Sequence, residues 1–132
     1  MGAKKSKCVI VTIPVVIYNI HVFVFVNGGA KNIIDYAKEL GLKLSKRWIK
    51  GLDSQYKGNG LGFCTYYGED NIDILIGIKK PLLKASDYGT LYHEIYHAVF
   101  WILKDHSIKD EEAGAYLYEY ISTECNRVLW NR

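Results

Sequence analysis

The sequence predicts one α+β domain, in which a small mixed β-sheet packs on a central helix and on a second helix that follows it. Segments rich in Val, Ile and Phe alternate with segments of helical periodicity along the chain. One helical segment is apolar almost all round, as expected of a helix in the middle of a domain. The length of 132 residues suits a single hydrophobic core. Residues 1–132 are therefore treated as one domain.

Four segments have the composition of β-strands. They are residues 8–18, 20–26, 61–67 and 72–78. The first two form a predicted hairpin, and the last two form a second hairpin across a turn at residues 68–71. Pro14 lacks the amide hydrogen that a sheet ladder needs. The first strand should therefore lie at an edge of the sheet or bend at Pro14.

Three segments have the pattern of helices, namely residues 30–40, 86–104 and 110–129. Gly41 supplies a stop for the first helix, and Ser86 or Asp87 supplies a cap for the second. The acidic start of the third helix complements the positive end of its dipole. The predicted order is strand, strand, helix, strand, strand, helix, helix.

Residues 42–60 are predicted to be a solvated loop. Five cations lie there, and they supply part of the formal charge of +3, together with lysines 4, 5 and 7: Lys43, Lys46, Arg47, Lys50 and Lys57. Trp48 and Tyr56 are interleaved with them, so a nucleic-acid surface is the alternative. A charge run of this kind is more often a solvated segment, and nucleic acid is not the expected partner.

The composition argues against several classes of protein. The charged fraction of 23% and the aromatic fraction of 14% are typical of a packed domain rather than a disordered chain. Cys8, Cys64 and Cys125 are odd in number and far apart, so neither disulfides nor a cysteine zinc site is expected. The sequence shows no membrane span and no signal-peptide pattern, which predicts a cytoplasmic protein. Gly2 and Ser6 fit only a loose myristoylation pattern that often arises by chance.

The central helix carries His-Glu-Ile-Tyr-His at residues 93–97. Residues four apart project from the same face of a helix, so His93 and His97 can offer two imidazoles to one metal ion. Catalytic zinc keeps an open position and lowers the pKa of its water to about 7, so a neighbouring carboxylate can accept the proton. Glu94 is the predicted general base. Random order of this composition would give only about 0.006 matches to the motif.

Residues 90–99, Thr-Leu-Tyr-His-Glu-Ile-Tyr-His-Ala-Val, resemble the extended motif of the zincin metallopeptidases. In both, the two residues between the glutamate and the second histidine are uncharged, and apolar residues follow the second histidine. The metzincin branch has a Gly three residues after the second His and a His or Asp three residues later. Phe100 and Leu103 stand at those positions here, so that branch is excluded.

The resemblance to the gluzincin branch implies a third zinc ligand. Residues 112–117, Glu-Ala-Gly-Ala-Tyr-Leu, resemble the Glu-x-x-Ala-Tyr-Leu segment of small phage and bacterial zincin-like proteins. Glu112 is the ligand that this resemblance implies. Glu111 and His106 are the alternatives, and both glutamates also suit the first turn of a helix simply as favourable charges. Tyr116, one turn after Glu112, is the predicted oxyanion helper, with ordinary packing as the other interpretation.

The zincin resemblance also implies an activity and a manner of binding substrate. The expected reaction is hydrolysis of a peptide or related amide bond, with Zn²⁺ as cofactor and a peptide or protein as substrate. Zincins pair an extended peptide with an edge strand, and residues 60–64 offer backbone with few side chains in the way, although their glycines also suit a bulge or turn. The alternative is a non-catalytic zinc-stabilised domain that binds a protein or nucleic-acid partner. Glu94 favours the enzyme, because a structural site needs no base.

Overall fold

The computed structural model describes residues 7–130 and contains one four-stranded mixed sheet. The strands are β1 (Val9–Val15), β2 (Ile20–Val26), β3 (Gly62–Tyr66) and β4 (Ile74–Ile78). Their order across the sheet is β1-β2-β4-β3, with β2 and β4 parallel and the two outer pairs antiparallel. The predicted α+β class with a small mixed sheet is confirmed. Gly2 and Ser6 lie outside the described residues.

Both predicted hairpins are present. Asn19, with a φ of 52°, ends a short 3-10 turn at Val16–Tyr18 and leads the chain from β1 into β2. That turn replaces the last three residues of the first predicted strand. Pro14 lies in β1, which is an edge strand as the missing amide hydrogen predicts. β3 forms the opposite edge of the sheet.

Four helices cover the two faces of the sheet. They are α1 (Ala30–Glu39), α2 (Lys46–Lys57), α3 (Ala85–Asp105) and α4 (Glu111–Trp130). One buried cluster joins α1 and α2 to the sheet through Phe23, Phe25 and Leu75. The other joins α3 and α4 to the Val and Ile side chains of the opposite face. No helix within residues 7–130 is both long and apolar enough to cross a membrane.

The prediction of a solvated loop over residues 42–60 is wrong, because residues 46–57 form α2. The Ser45 side chain caps this helix by accepting a hydrogen bond from the Trp48 amide at 3.0 Å. Trp48, Leu52 and Tyr56 recur every four residues and pack on the phenylalanine-rich face of the sheet. The cations lie on the rest of the helix surface. Because they dominate the composition of the segment, this apolar stripe was not recognised from the sequence.

α3 and α4 form an antiparallel pair on one face of the sheet. The Tyr92 hydroxyl donates to Asn126 Oδ1 at 2.9 Å, which joins the two helices midway along α3. Towards the other end, a Cβ on Gly114 would lie 3.1 Å from Leu103 Cδ1. The first turn of α4 therefore lies beside the last turns of α3. The prediction of Ser86 or Asp87 as the cap of α3 is wrong, because the N-cap is Lys84. Asp87 lies within the first turn, where its Oδ2 accepts from the amides of residues 83 and 84.

Candidate metal centre

His93 and His97 lie on the exposed face of α3 with their rings turned towards each other. The Nε2 atoms are 3.2 Å apart, and the ring centroids are 4.8 Å apart. Two nitrogen ligands of a tetrahedral zinc ion, each about 2.0–2.1 Å from the metal, lie about 3.3 Å from one another. The spacing of the two imidazoles therefore suits one zinc ion held through both Nε2 atoms. The helical periodicity of the motif alone produces this arrangement.

Glu94 lies between the histidines in sequence but on the side of α3 that faces the sheet. Only 7% of the residue is exposed, which is unusual for a carboxylate. Burial raises the pKa of Glu94 above its ordinary value, and the charges of His93 and His97 act in the opposite direction. A carboxyl group whose pKa is moved towards neutrality beside two imidazoles is suited to take up and release a proton.

An open groove of about 540 Å³ runs between α3 and the edge of the sheet. On one side it is lined by residues 60–62, which lead into β3, and on the other by residues of α3 that include Thr90, His93 and Glu94. The start of the edge strand β3 and the residues just before it, which include Gly60 and Gly62, therefore lie beside the segment that carries His93 and Glu94. The outer edge of β3 has no neighbouring strand within residues 7–130.

A pair of aromatic residues joins the far end of β3 to α3. Tyr66 of β3 stacks on Trp101 of α3 with ring centroids 5.0 Å apart, and its hydroxyl donates to Asp105 Oδ2 at 2.7 Å. Sequence reasoning missed these residues and also missed Thr90, whose methyl group packs near Gly62. Gly62 was the available signal for a close approach of the backbone to α3.

Glu112 does not join the two histidines in this structure. It is exposed, and it lies about 180° around α4 from the fully buried Ile121, so it faces solvent. Along the axis of α3, the turn of α4 that carries Glu112 lies further from His97 than Leu103 does. Leu103 is itself roughly 9 Å from His97 along that axis. Within residues 7–130, no group of three or more His, Cys, Asp or Glu side chains is arranged to hold a metal ion. The third-ligand role of Glu112 stays a prediction.

The other predicted site residues also lie apart from the histidines. Tyr116 is 66% exposed and lines a groove with residues 15–18 of the first hairpin. Glu111 lines a different groove, between α3 and α4, with Tyr96 and Phe100. His106 is held at the end of α3, where its Nδ1 lies 2.8 Å from the Ile102 carbonyl oxygen and its ring lies against Tyr18.

In comparisons with known proteins, no family model, curated protein or solved structure matches this chain. The resemblance to zincins therefore rests on residues 90–99 and 112–117 of the sequence itself. The structure brings together His93, Glu94 and His97 of the first segment beside an edge strand. It leaves the second segment at the far end of the helix pair.

Proposed function

We propose that this protein is a zinc-dependent, peptidase-like hydrolase that cleaves peptide or related amide bonds. The observation that carries the proposal is the 3.2 Å spacing of His93 Nε2 and His97 Nε2 beside a groove that also contains the buried Glu94. Two imidazoles suited to one metal ion and one carboxyl group with a raised pKa are the components of metal-assisted hydrolysis. The cytoplasmic location predicted from the sequence belongs to the same proposal.

The roles of the three motif residues follow from their positions. His93 and His97 would hold the metal, and zinc bound there would supply a Lewis acid and a water of lowered pKa. A carboxylate oxygen of Glu94 accepts the proton of the attacking water and passes it to the leaving nitrogen. Because Glu94 is nearly buried against β3, its side chain has few alternative positions.

The edge of β3 is the proposed binding site for the substrate backbone. Unpaired amide and carbonyl groups of an edge strand favour an extended peptide, which adds to the sheet as a further strand. Of the three residues that line this side of the groove, Gly60 and Gly62 carry no side chain, and Leu61 carries the bulky one. A peptide bound there passes along His93 and Glu94, which line the opposite side of the same groove.

The two histidines supply two of the three protein ligands that a catalytic zinc site has. The gluzincin pattern predicts Glu112 as the third ligand, but the packing of α4 on α3 does not support that choice. A site that only stabilises the fold needs four protein ligands and no base. The nearly buried carboxyl group of Glu94 beside the histidines is therefore better explained by the hydrolase than by a structural zinc site.

The test is a digest of an unbiased peptide library by zinc-loaded protein, with the Glu94→Gln variant as the matched control. We expect the unmodified protein to cleave a subset of peptides and the variant to cleave the same peptides at least about a hundredfold more slowly. Removal of the metal by a chelator should stop cleavage, and added zinc should restore it. Equal cleavage by both proteins, or by the chelated protein, would show that the motif is not the source of the activity.

A further inference from the structure

The positive charge of the chain is concentrated on α2 and the residues just before it. Residues 43–57 contain five cations, Lys43, Lys46, Arg47, Lys50 and Lys57, against the single carboxylate of Asp53. This segment is therefore more positive than the whole chain, whose formal charge is +3. Such a separation of charge is a feature of surfaces that bind polyanions.

The helix places four of these cations, all except Lys43, on its solvent side. Lys46, Lys50 and Lys57 follow one another at intervals of four and seven residues, so they lie on one face, and Arg47 is adjacent. All five cations of the segment are exposed, and none takes part in an ion pair within residues 7–130. Asp53 lies on the same face as the lysines. Glu69, which accepts a hydrogen bond from Ser45, lines a groove with Arg47.

The position of the first two cations does not serve the stability of α2. Lys46 and Arg47 stand in the first turn, where the helix dipole favours acidic residues, and no acidic residue of the helix stands there. Local conflicts between sequence and structure occur most often at functional sites. Glu69 lies at this end of α2 through its hydrogen bond from Ser45. Neither Lys46 nor Arg47 forms an ion pair with it within residues 7–130, so both cations are available to an external anion.

We propose that the solvent face of α2 binds the phosphate backbone of double-stranded nucleic acid without sequence preference. Its exposed residues are all charged, polar or glycine, and its apolar residues are at least partly buried, so the helix presents no fully exposed apolar side chain to a lipid bilayer. Its aromatic residues point inwards, where the Trp48 indole donates to the Tyr66 carbonyl and Tyr56 packs on Phe63. Bases of a single strand therefore find no exposed ring of α2 to stack on. Contacts to a duplex backbone need only the cations.

The experiment is fluorescence anisotropy of a labelled DNA duplex of about 20 base pairs, titrated with the full chain at several salt concentrations. If about four phosphates are neutralised, the slope of log affinity against log salt should be about −3 to −4. Affinity should then fall roughly a hundredfold between about 50 and about 200 mM salt. Absence of binding at the lower salt concentration would overturn the proposal.

Matched variants distinguish binding by the solvent face of α2 from attraction by the net charge of the chain. Lys50→Gln should weaken binding several-fold and reduce the salt slope by about one, because one phosphate contact is lost. Lys109→Gln changes the net charge equally but lies in the exposed loop between α3 and α4, so binding should not change. Asp53→Asn should strengthen binding. Equal losses in the two lysine variants would overturn the assignment to α2.

Two further measurements decide the kind of partner and exclude damage to the fold. Binding to polyglutamate, to a single strand or to vesicles of anionic lipid should be weaker than binding to the duplex at equal charge concentration. Equal or tighter binding to any of these three probes would overturn the choice of duplex. Lys46→Gln should also weaken duplex binding, and it should not lower the thermal unfolding midpoint, because it removes a cation from the first turn of α2.

Discussion

Gly62 of β3 leaves the space that the Glu94 side chain of α3 occupies. A Cβ on Gly62 would lie 3.2 Å from Glu94 Cγ and 3.1 Å from both Thr90 Cγ2 and Ile78 Cδ1. Contacts this short require the neighbouring atoms to move by a few tenths of an ångström. The position of the proposed base is therefore coupled to the position of the edge strand.

The Gly62→Ala variant should lose hydrolytic activity and keep its zinc. The added methyl group displaces Glu94 or β3, and small errors in the position of a catalytic group cost about tenfold to a hundredfold in rate. The histidines lie outside this contact, so the zinc content should not change. The matched control is Gly51→Ala on α2, outside the groove, where an added Cβ would meet no atom within 4 Å. Equal rates for the two variants would show that the contact does not position the base.

Replacement of His93 or His97 by Ala should remove most of the zinc, which we expect at about one ion per chain. The two Nε2 atoms together have the spacing that zinc requires, and a single imidazole binds zinc only weakly. His21 and His106 provide controls, because His21 lies beside Asp73 and His106 is bonded to the Ile102 carbonyl. Elemental analysis of the four alanine variants decides the matter. Full zinc occupancy in the double variant at positions 93 and 97 would refute the site.

The Glu94→Gln variant should bind zinc normally and hydrolyse peptides about a hundredfold to ten-thousandfold more slowly. The amide keeps the shape of the side chain but cannot accept a proton. Rates are measured on a peptide that the unmodified protein cleaves, and zinc affinity is measured by competition with a chelator. A variant with normal zinc affinity and a normal rate would remove Glu94 from the role of base.

The same substitution predicts a pH dependence of stability in metal-free protein. Burial raises the pKa of Glu94 in the folded state above its ordinary value of 4.5, so the folded protein favours the neutral form. Stability contributed by this group is therefore present at acid pH and is lost as pH rises from 4.5 through the folded pKa. We expect Glu94→Gln to raise the thermal midpoint at pH 7 more than at pH 4. If the difference in thermal midpoint between the variant and the unmodified protein is the same at both pH values, the pKa of Glu94 is not raised in the folded state.

The part of the site that the sequence predicts is the part that local geometry determines. His93 and His97 share a face because a helix repeats every 3.6 residues, whatever the helix packs on. The strands were predicted for a similar reason, since runs of Val, Ile and Phe suit a pleated and buried surface. α2 was missed because five cations outweighed its short apolar stripe of Trp48, Leu52 and Tyr56.

The rest of the site depends on how distant elements pack. The rotation of α4 about its axis follows from the burial of Leu117, Ile121 and Cys125 against the sheet and α3. Its position along α3 follows from the contact of Gly114 with Leu103. Neither can be read from the spacing of residues in the first turn of α4. A match to a family pattern at Glu112 therefore carries no information on the distance from that carboxylate to the histidines.

The third ligand is the point on which the family pattern and the structure give different expectations. Glu112 faces solvent and lies beyond the level of Leu103, and Glu111 lies in the groove with Tyr96 and Phe100. We expect Glu112→Ala and Glu111→Ala each to change zinc affinity by less than about threefold, because neither carboxylate lies level with His97 along the helix pair. His97→Ala is the positive control.

Titration with zinc in competition with a chelator measures all three variants under the same conditions. A sharp loss of affinity in Glu112→Ala alone would contradict the expectation and would support the gluzincin pattern, since the first turn of α4 would then have to approach the histidines when metal binds. A sharp loss in Glu111→Ala alone would transfer the ligand role to the residue that already faces α3. Unchanged affinity in both variants, with a loss in His97→Ala, would leave the two imidazoles as the protein ligands among these candidates.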